Sequence, residues 1–222
     1  MNGSFLPQWI VFLVIFALGD HFFIGTAATP KVISTTVGRV GDRVVTGREV
    51  AISYLLEQAL FSKGPIGKEA VKDLMQKSVK DAVAGVLMEW VVYLEAQKFS
   101  SKKIEDDELL TAEKKAVSKL KSVAEWKDLQ VDHGELRQII QRKLRSKEFI
   151  RFRIDSSYIP ITDSEVRAYF EENRSQFGQL PYESFEKNIR AFLKKRQVEQ
   201  RLKDWFDVLQ RKYKVNRYLV EL

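Results

Sequence analysis

The residue types that carry most enzymatic and metal chemistry are scarce in this chain. It contains no cysteine and only two histidines, His21 and His133. Thiol nucleophiles, disulfides, cysteine-based zinc sites and iron–sulfur clusters are therefore excluded. A histidine-rich metal site or a Ser–His–acid triad has at most one histidine to draw on, because His21 lies in a segment that we expect to be removed. His133 has no obvious second ligand or nucleophile, so we interpret it as structural or exposed.

Motifs for nucleotides and metals are also missing from the sequence. Neither a G-x-x-x-x-G-K-[ST] nor a G-x-G-x-x-G pattern occurs, so any activity is expected to be independent of ATP. The acidic cluster at residues 105–108 stands where a helix is predicted to begin, and the helix macrodipole favours negative charge there. A calcium site would need a fuller loop of oxygen ligands. We expect no cofactor and no metal.

The charge of the chain is basic but mixed. There are 37 Lys and Arg residues against 30 Asp and Glu residues, a net charge of +7. A basic surface suggests nucleic acid, acidic lipid or an acidic partner. Neither a recognition helix nor a basic–aromatic sheet is visible, so nucleic-acid binding is not expected. The basic run at residues 194–196 is interpreted as a solvated helix face, and weak contact with an acidic membrane surface stays open.

The first residues of the chain have the pattern of an export signal. An unbroken apolar run covers residues 9–19, shorter than the roughly 20 residues of a membrane-spanning helix and within the roughly 7–15 of a secretory signal. Small residues follow at 25–28. We therefore predict a cleaved signal peptide over residues 1–28, a domain over residues 29–222, and export from the cytoplasm. No Lys or Arg precedes the run and Asp20 follows it, so an uncleaved inner-membrane anchor and a mis-assigned start remain alternatives.

Apolar side chains recur at helical spacing over most of the remaining chain. Thr46 with Glu49, and Thr162 with Glu165, each match the capping box of a helix start. A helix is predicted from each of these threonines. Further helices are predicted over residues 68–99, 105–123, 132–154 and 182–213.

Strand-forming sequence lies only near the two ends of this domain. Residues 36–45 predict a hairpin around the turn signal Gly41-Asp42, and residues 214–222 are a further strand candidate. An isolated hairpin is marginally stable in water, so we expect the last strand to pair with the first. The predicted fold class is mainly α, a multi-helix domain with a small β-sheet that pairs the N-terminal and C-terminal strands.

Three segments resemble the SurA family of chaperones. Residues 37–50, VGRVGDRVVTGREV, are similar to that family's opening strand–turn–strand and helix cap, with Gly41-Asp42 in place of the usual Asn-Gly. Residues 161–177, ITDSEVRAYFEENRSQF, look very like a helix of the family, and residues 180–220 resemble its closing helix and terminal strand. The resemblance implies a SurA-core-like chaperone domain.

The same resemblance implies that a catalytic domain is absent. In the family, parvulin-type prolyl isomerase domains usually lie between the second and third segments, where this chain has only Gly178-Gln179. The implied function is that of a non-catalytic, ATP-independent holdase for unfolded outer-membrane or secreted polypeptides in the periplasm. Two alternatives remain, an isomerase-related folding factor that acts with a separate parvulin and a membrane-anchored assembly partner. A homodimer also stays open.

A client site would require apolar and aromatic side chains exposed along a groove between helical lobes. Unfolded β-barrel chains expose such side chains together with strand edges, and they aggregate through both. The aromatic residues of the last long helix are expected to be core instead: Phe185, Phe192, Trp205 and Phe206. The predicted client-binding residues are Leu136, Ile140, Phe149, Phe152, Tyr158, Tyr169 and Phe170.

Overall fold

A computed structural model describes residues 35–64, 66, 79–99, 103–156 and 159–218, all within one compact unit, Lys31–Leu222. The described part is mainly helical with one small sheet, which confirms the predicted fold class. The predicted signal peptide and the first part of the helix predicted over residues 68–99 lie outside the described residues. The elements are β1 (Thr36–Val40), β2 (Arg43–Thr46), α1 (Gly47–Phe61), α2 (Val79–Lys98), α3 (Asp106–Leu120), α4 (Ala124–Asp128), α5 (His133–Ser156), α6 (Asp163–Glu172), α7 (Glu186–Lys212) and β3 (Val215–Arg217).

The sheet joins the two ends of the described chain. Its strand order is β2–β1–β3 and both pairings are antiparallel, which confirms the predicted pairing of the last strand with the first. Gly41 makes the hairpin turn with φ +59° and donates its N–H to the carbonyl oxygen of Tyr213 at 2.8 Å. At Gly38, an added Cβ would lie 2.8 Å from the carbonyl oxygen of Asn216 in β3, so only glycine lets these strands meet.

Helix starts follow the capping signals of the sequence. The Thr162–Glu165 capping box forms completely, with the Thr162 N–H donating to the Glu165 carboxylate at 2.8 Å. Before α5, the side chain of Asp132 accepts from the N–H of Glu135 at 2.9 Å. The Thr46 hydroxyl likewise accepts from the backbone N–H at the third position of α1, at 3.2 Å.

Glu49 departs from its predicted capping role. Its carboxylate accepts from the indole N–H of Trp90 at 2.6 Å and from the guanidinium of Arg142 at 2.7 Å. The capping box predicted at Thr46 is therefore formed only through the threonine. The glutamate instead ties α1 to α2 and α5.

Three apolar clusters hold the described part together. The first lies between the sheet, α2, α5 and α7, and includes Val91, Phe149 and Leu209. The second joins α1, α3 and α5. The third packs α6 against the first half of α7, through Phe170 and Ile189. Helix α5 contributes to both of the first two clusters, so it is the helix on which the main body is assembled.

The end of the chain differs in detail from the prediction. A 3₁₀ turn at Tyr182–Ser184 precedes α7, which begins at Glu186. Phe192 was expected to be core, but it is 46% exposed, with its ring 5.4 Å from that of Tyr169 between centroids. Short α6 covers only part of the apolar side of the much longer α7. Gly178 forms an open turn with φ +60° and no atom within 4 Å of an added Cβ.

Candidate client-binding surfaces

Four of the predicted client-binding residues lie in the apolar cores. Leu136 and Ile140 belong to the second cluster, Phe149 to the first and Phe170 to the third. The expectation that these four are exposed is wrong, because α5 and α6 turn their apolar stripes onto neighbouring helices. Tyr158 lies outside the described residues.

Phe152 is the predicted residue that the structure places most openly on the surface. Its side chain is 54% exposed and its ring stacks on the buried ring of Phe149, 6.1 Å between centroids. Phe99, directly after α2, is 48% exposed, and its ring lies 5.4 Å from that of Phe149 between centroids. Half-buried Trp205 of α7 also contacts the ring of Phe149, at 5.9 Å. We call Phe99, Phe152 and Trp205 the aromatic surface.

The aromatic surface consists of side chains that make apolar contacts. Single exposed apolar residues are normal on proteins, but here two exposed rings and a half-buried indole meet around one buried ring. Arg153 borders the surface, with its guanidinium 5.4 Å from the centroid of Trp205. Such a surface can stack on aromatic or aliphatic side chains of another chain. Sequence reasoning missed Phe99 because it stands just past the last turn of its helix, outside the apolar stripe.

A second candidate is an open cleft of about 610 Å³ between α6 and α7, which we call the α6–α7 cleft. Tyr169, another predicted client-binding residue, lies on its wall, half-buried, beside Ile161 and Leu193. Polar side chains of α7 line the rest of the cleft, among them Arg196 and Gln197. The cleft therefore combines an apolar floor with hydrogen-bonding groups.

A buried ion-pair network links α1, α2 and α5. Arg142 of α5 donates to Glu49 at 2.7 Å and to Glu89 at 2.5 Å, and Lys143 donates to Glu89 at 2.8 Å and to Glu57 at 3.1 Å. Both cationic side chains are almost fully buried. The carboxylates take up the Arg142 Nε and Nη1 donors and the Lys143 ammonium, while Arg142 Nη2 is buried without a hydrogen-bond partner among the described residues. The arrangement therefore joins three helices through charges that are mostly paired.

The network also encloses an aromatic ring. The guanidinium groups of Arg43 and Arg142 lie over the indole of Trp90, 3.5 and 4.0 Å from the ring centroid. This network was not predicted from the sequence, because paired charges usually lie on a solvated helix face. One signal was present: Arg142 and Lys143 follow Ile139 at three and four residues, on the apolar stripe of α5.

A second polar contact ties the end of α7 to α2. The carboxylate of Glu95 accepts from the ammonium of Lys212 at 2.7 Å and from the phenol of Tyr213 at 2.6 Å. Burial alone would raise the pKa of Glu95, but the hydrogen bonds from Lys212 and Tyr213, together with the positive charges of Lys212 and Lys98, outweigh it and the pKa is lowered. Burial and the bond to Glu95 raise the pKa of the Tyr213 phenol. This contact holds the chain in place just before β3.

His133, interpreted from the sequence as structural or exposed, is exposed. Its ring nitrogen lies 3.6 Å from the carboxylate of Glu113. Among the described residues, no three His, Asp or Glu side chains form a group that could hold a metal ion. None of the helices in the described ranges combines the length and the apolar character needed to cross a membrane.

Comparison with known proteins adds no relative to this picture. No protein-family model matches the chain, and neither the curated proteins nor the solved structures contain a significant match. The geometry of the described residues offers two candidate surfaces, the aromatic surface and the α6–α7 cleft.

Proposed function

We propose that this chain is a non-catalytic, ATP-independent holdase of the periplasm that binds unfolded outer-membrane or secreted polypeptides. The aromatic surface supports this proposal most directly. Phe99 and Phe152 are about half exposed, and each ring packs against the buried ring of Phe149. Exposed rings that already pack against the core lose less conformational freedom when they bind apolar side chains.

Binding at this surface would be weak and reversible, as a holdase requires. An apolar client side chain that covers the rings gains about 25 cal/mol for each Å² of apolar area removed from water. The rings stand on the outside of α2 and α5 rather than in a deep pocket, so the area that one client side chain can bury is small. A small buried area favours fast release, and no step of this cycle needs a nucleotide.

Two features of the sequence support the more specific parts of the proposal. The resemblance of residues 161–177 to SurA-type chaperones supports the chaperone class, and the apolar run at residues 9–19 supports export to the periplasm. The open turn at Gly178 stands where family members carry their isomerase domain, which supports a core module without catalysis. The clients would be unfolded polypeptides, not nucleic acids.

The proposal is tested by measuring how far the full chain, purified from cells that express it, suppresses the aggregation of a client protein. An unfolded outer-membrane β-barrel protein is diluted from urea into buffer with or without the chain, without nucleotide, and light scattering is followed. We expect aggregation to be suppressed at a near-stoichiometric ratio of chain to client. Unchanged scattering in the presence of the folded chain would contradict the proposal.

A second assay tests the absence of catalysis. The refolding of a substrate limited by proline isomerisation is measured with and without the chain, because that step is slow enough to follow by hand mixing. We expect the same rate in both. An acceleration by the chain alone would show an isomerase.

A further inference from the structure

The polar lining of the α6–α7 cleft has a feature that the aromatic surface lacks. The side-chain oxygen of Gln197 is buried and has no hydrogen-bond partner among the described residues. A buried acceptor without a donor is costly, and most such groups in proteins are satisfied. The residue as a whole is half-buried and lines the cleft, so a rotation of its side chain would bring this acceptor to a ligand there.

The position of Gln197 follows from the geometry of α7. Ile189 and Leu193 face α6 and belong to the third apolar cluster. Gln197 comes one turn after Leu193 on the same face, where the lining changes from apolar to polar. Tyr169 and Ile161 stand opposite as apolar contacts. A ligand in the cleft would meet an apolar floor and the glutamine together.

The charges around the cleft indicate which class of ligand fits. Its charged lining consists of Glu165 and Glu172 from α6 and Arg196 and Arg201 from α7, so the two signs balance. Nucleic acids and acidic lipid surfaces are recognised by an excess of cations. A balanced lining favours an uncharged ligand that can donate a hydrogen bond. The volume, about 610 Å³, lies within the range of roughly 300–1,000 Å³ typical of ligand sites.

From these observations we infer that the α6–α7 cleft is a second polypeptide site, separate from the aromatic surface, which recognises the main chain of an extended segment. A backbone N–H of the segment donates to the side-chain oxygen of Gln197, and a neighbouring large apolar side chain packs on Tyr169. This inference rests on the proposed function, since it assumes that clients are unfolded polypeptides. Two sites on one chain would hold a client by avidity although each alone is weak.

The test uses short fluorescein-labelled Gly/Ser peptides with one central Phe, and fluorescence anisotropy with the full chain. A second peptide carries N-methyl groups on the backbone amides flanking the Phe, which removes the donors. The variants are Gln197→Ala and, as a matched control, Gln210→Ala, which makes the same substitution at an exposed position of α7 outside the cleft.

We expect Gln197→Ala to weaken binding of the unmethylated peptide about five- to tenfold, the usual effect of one buried hydrogen bond, and Gln210→Ala to leave it unchanged. N-methylation should weaken binding to the wild type by a similar factor and have little further effect on Gln197→Ala, since both changes remove the same bond. Raising NaCl from about 50 to 300 mM should change affinity less than about twofold, because the lining carries no net charge.

Several results would overturn the inference. N-methylation that weakens wild type and Gln197→Ala equally would show that the glutamine does not meet the main chain. Displacement of the peptide by vesicles of acidic phospholipid, with a steep loss of affinity in salt, would assign the cleft to a membrane surface instead. Aggregation suppression without the expected peptide pattern would refute the cleft inference alone. The peptide pattern without aggregation suppression would support the cleft and refute the holdase function.

Discussion

Glu89 is the carboxylate on which the buried network depends, and Glu89→Gln should be severely destabilising. It accepts from Arg142 at 2.5 Å and from Lys143 at 2.8 Å, and the two cationic side chains are only 3% and 4% exposed. Removing one partner of a buried ion pair costs about 3–5 kcal/mol, because a charge stays buried without compensation. Arg142 keeps Glu49 and Lys143 keeps Glu57, so we expect the lower end, about 3 kcal/mol.

Glu57→Gln is the matched control, since the same substitution removes another carboxylate from the same lysine. The side chain of Glu57 is 51% exposed and lies 3.1 Å from Lys143, so its loss should cost less than about 1 kcal/mol. Urea unfolding followed by far-UV circular dichroism measures both; a loss of about 3 kcal/mol lowers the midpoint by roughly 1–3 M. Equal losses for the two variants, or a loss below about 1 kcal/mol for Glu89→Gln, would show that Glu89 does not hold the buried charges together.

Three further predictions concern the sheet, the contact before β3 and the open turn. Gly38→Ala should lower stability by about 1–3 kcal/mol, because its Cβ would meet a backbone oxygen at 2.8 Å, whereas Gly85→Ala, with open space around it in α2, should not destabilise; thermal melting compares them. Glu95→Gln should lower the free energy of unfolding at pH 7, and the difference in that free energy from the wild type should shrink below about pH 4.5. A carboxyl group whose pKa is lowered by folding stabilises the protein fully at pH values above its ordinary pKa, and this stabilisation is lost as the pH falls through the pKa of the folded state. Urea unfolding at pH 7 and about pH 3 would measure the difference. A small folded domain inserted after Gly178 should shift the melting temperature by less than about 3 °C, because that turn is open; unfolding of the chain by the insert would contradict the turn's assignment as an insertion point.

The elements of this fold were predictable where local chemistry decides them. The capping signals at Thr162 and Asp132 placed two helix starts, and the β-branched residues around Gly41 placed the hairpin. The pairing of β1 with β3 followed from the marginal stability of a lone hairpin. These are short-range effects that the sequence carries within a few residues.

The candidate sites were less predictable because they depend on which helices meet. Periodicity marks the apolar face of a helix, but it does not say how far a neighbour covers that face. Phe149 and Phe152 are both apolar positions of α5, yet only Phe149 is covered. Phe192 is likewise an apolar position of α7 that stays 46% exposed although Tyr169 of α6 contacts its ring. The unpartnered side-chain oxygen of Gln197 and the burial of Arg142 likewise depend on long-range packing.

The most direct test of the proposed holdase function is whether the aromatic surface binds the client polypeptide. The double variant Phe99→Ser, Phe152→Ser removes its two exposed rings. The matched control, Leu110→Ser, Val117→Ser, removes two side chains of similar exposure, 43% and 50%, from α3. Both are compared with the wild type in suppression of aggregation of an unfolded outer-membrane β-barrel protein. We expect the aromatic variant to require at least about fivefold more protein for half-suppression, since each ring contributes on the order of 1 kcal/mol, and the control to match the wild type. Equal suppression by all three folded proteins would contradict this role of the aromatic surface.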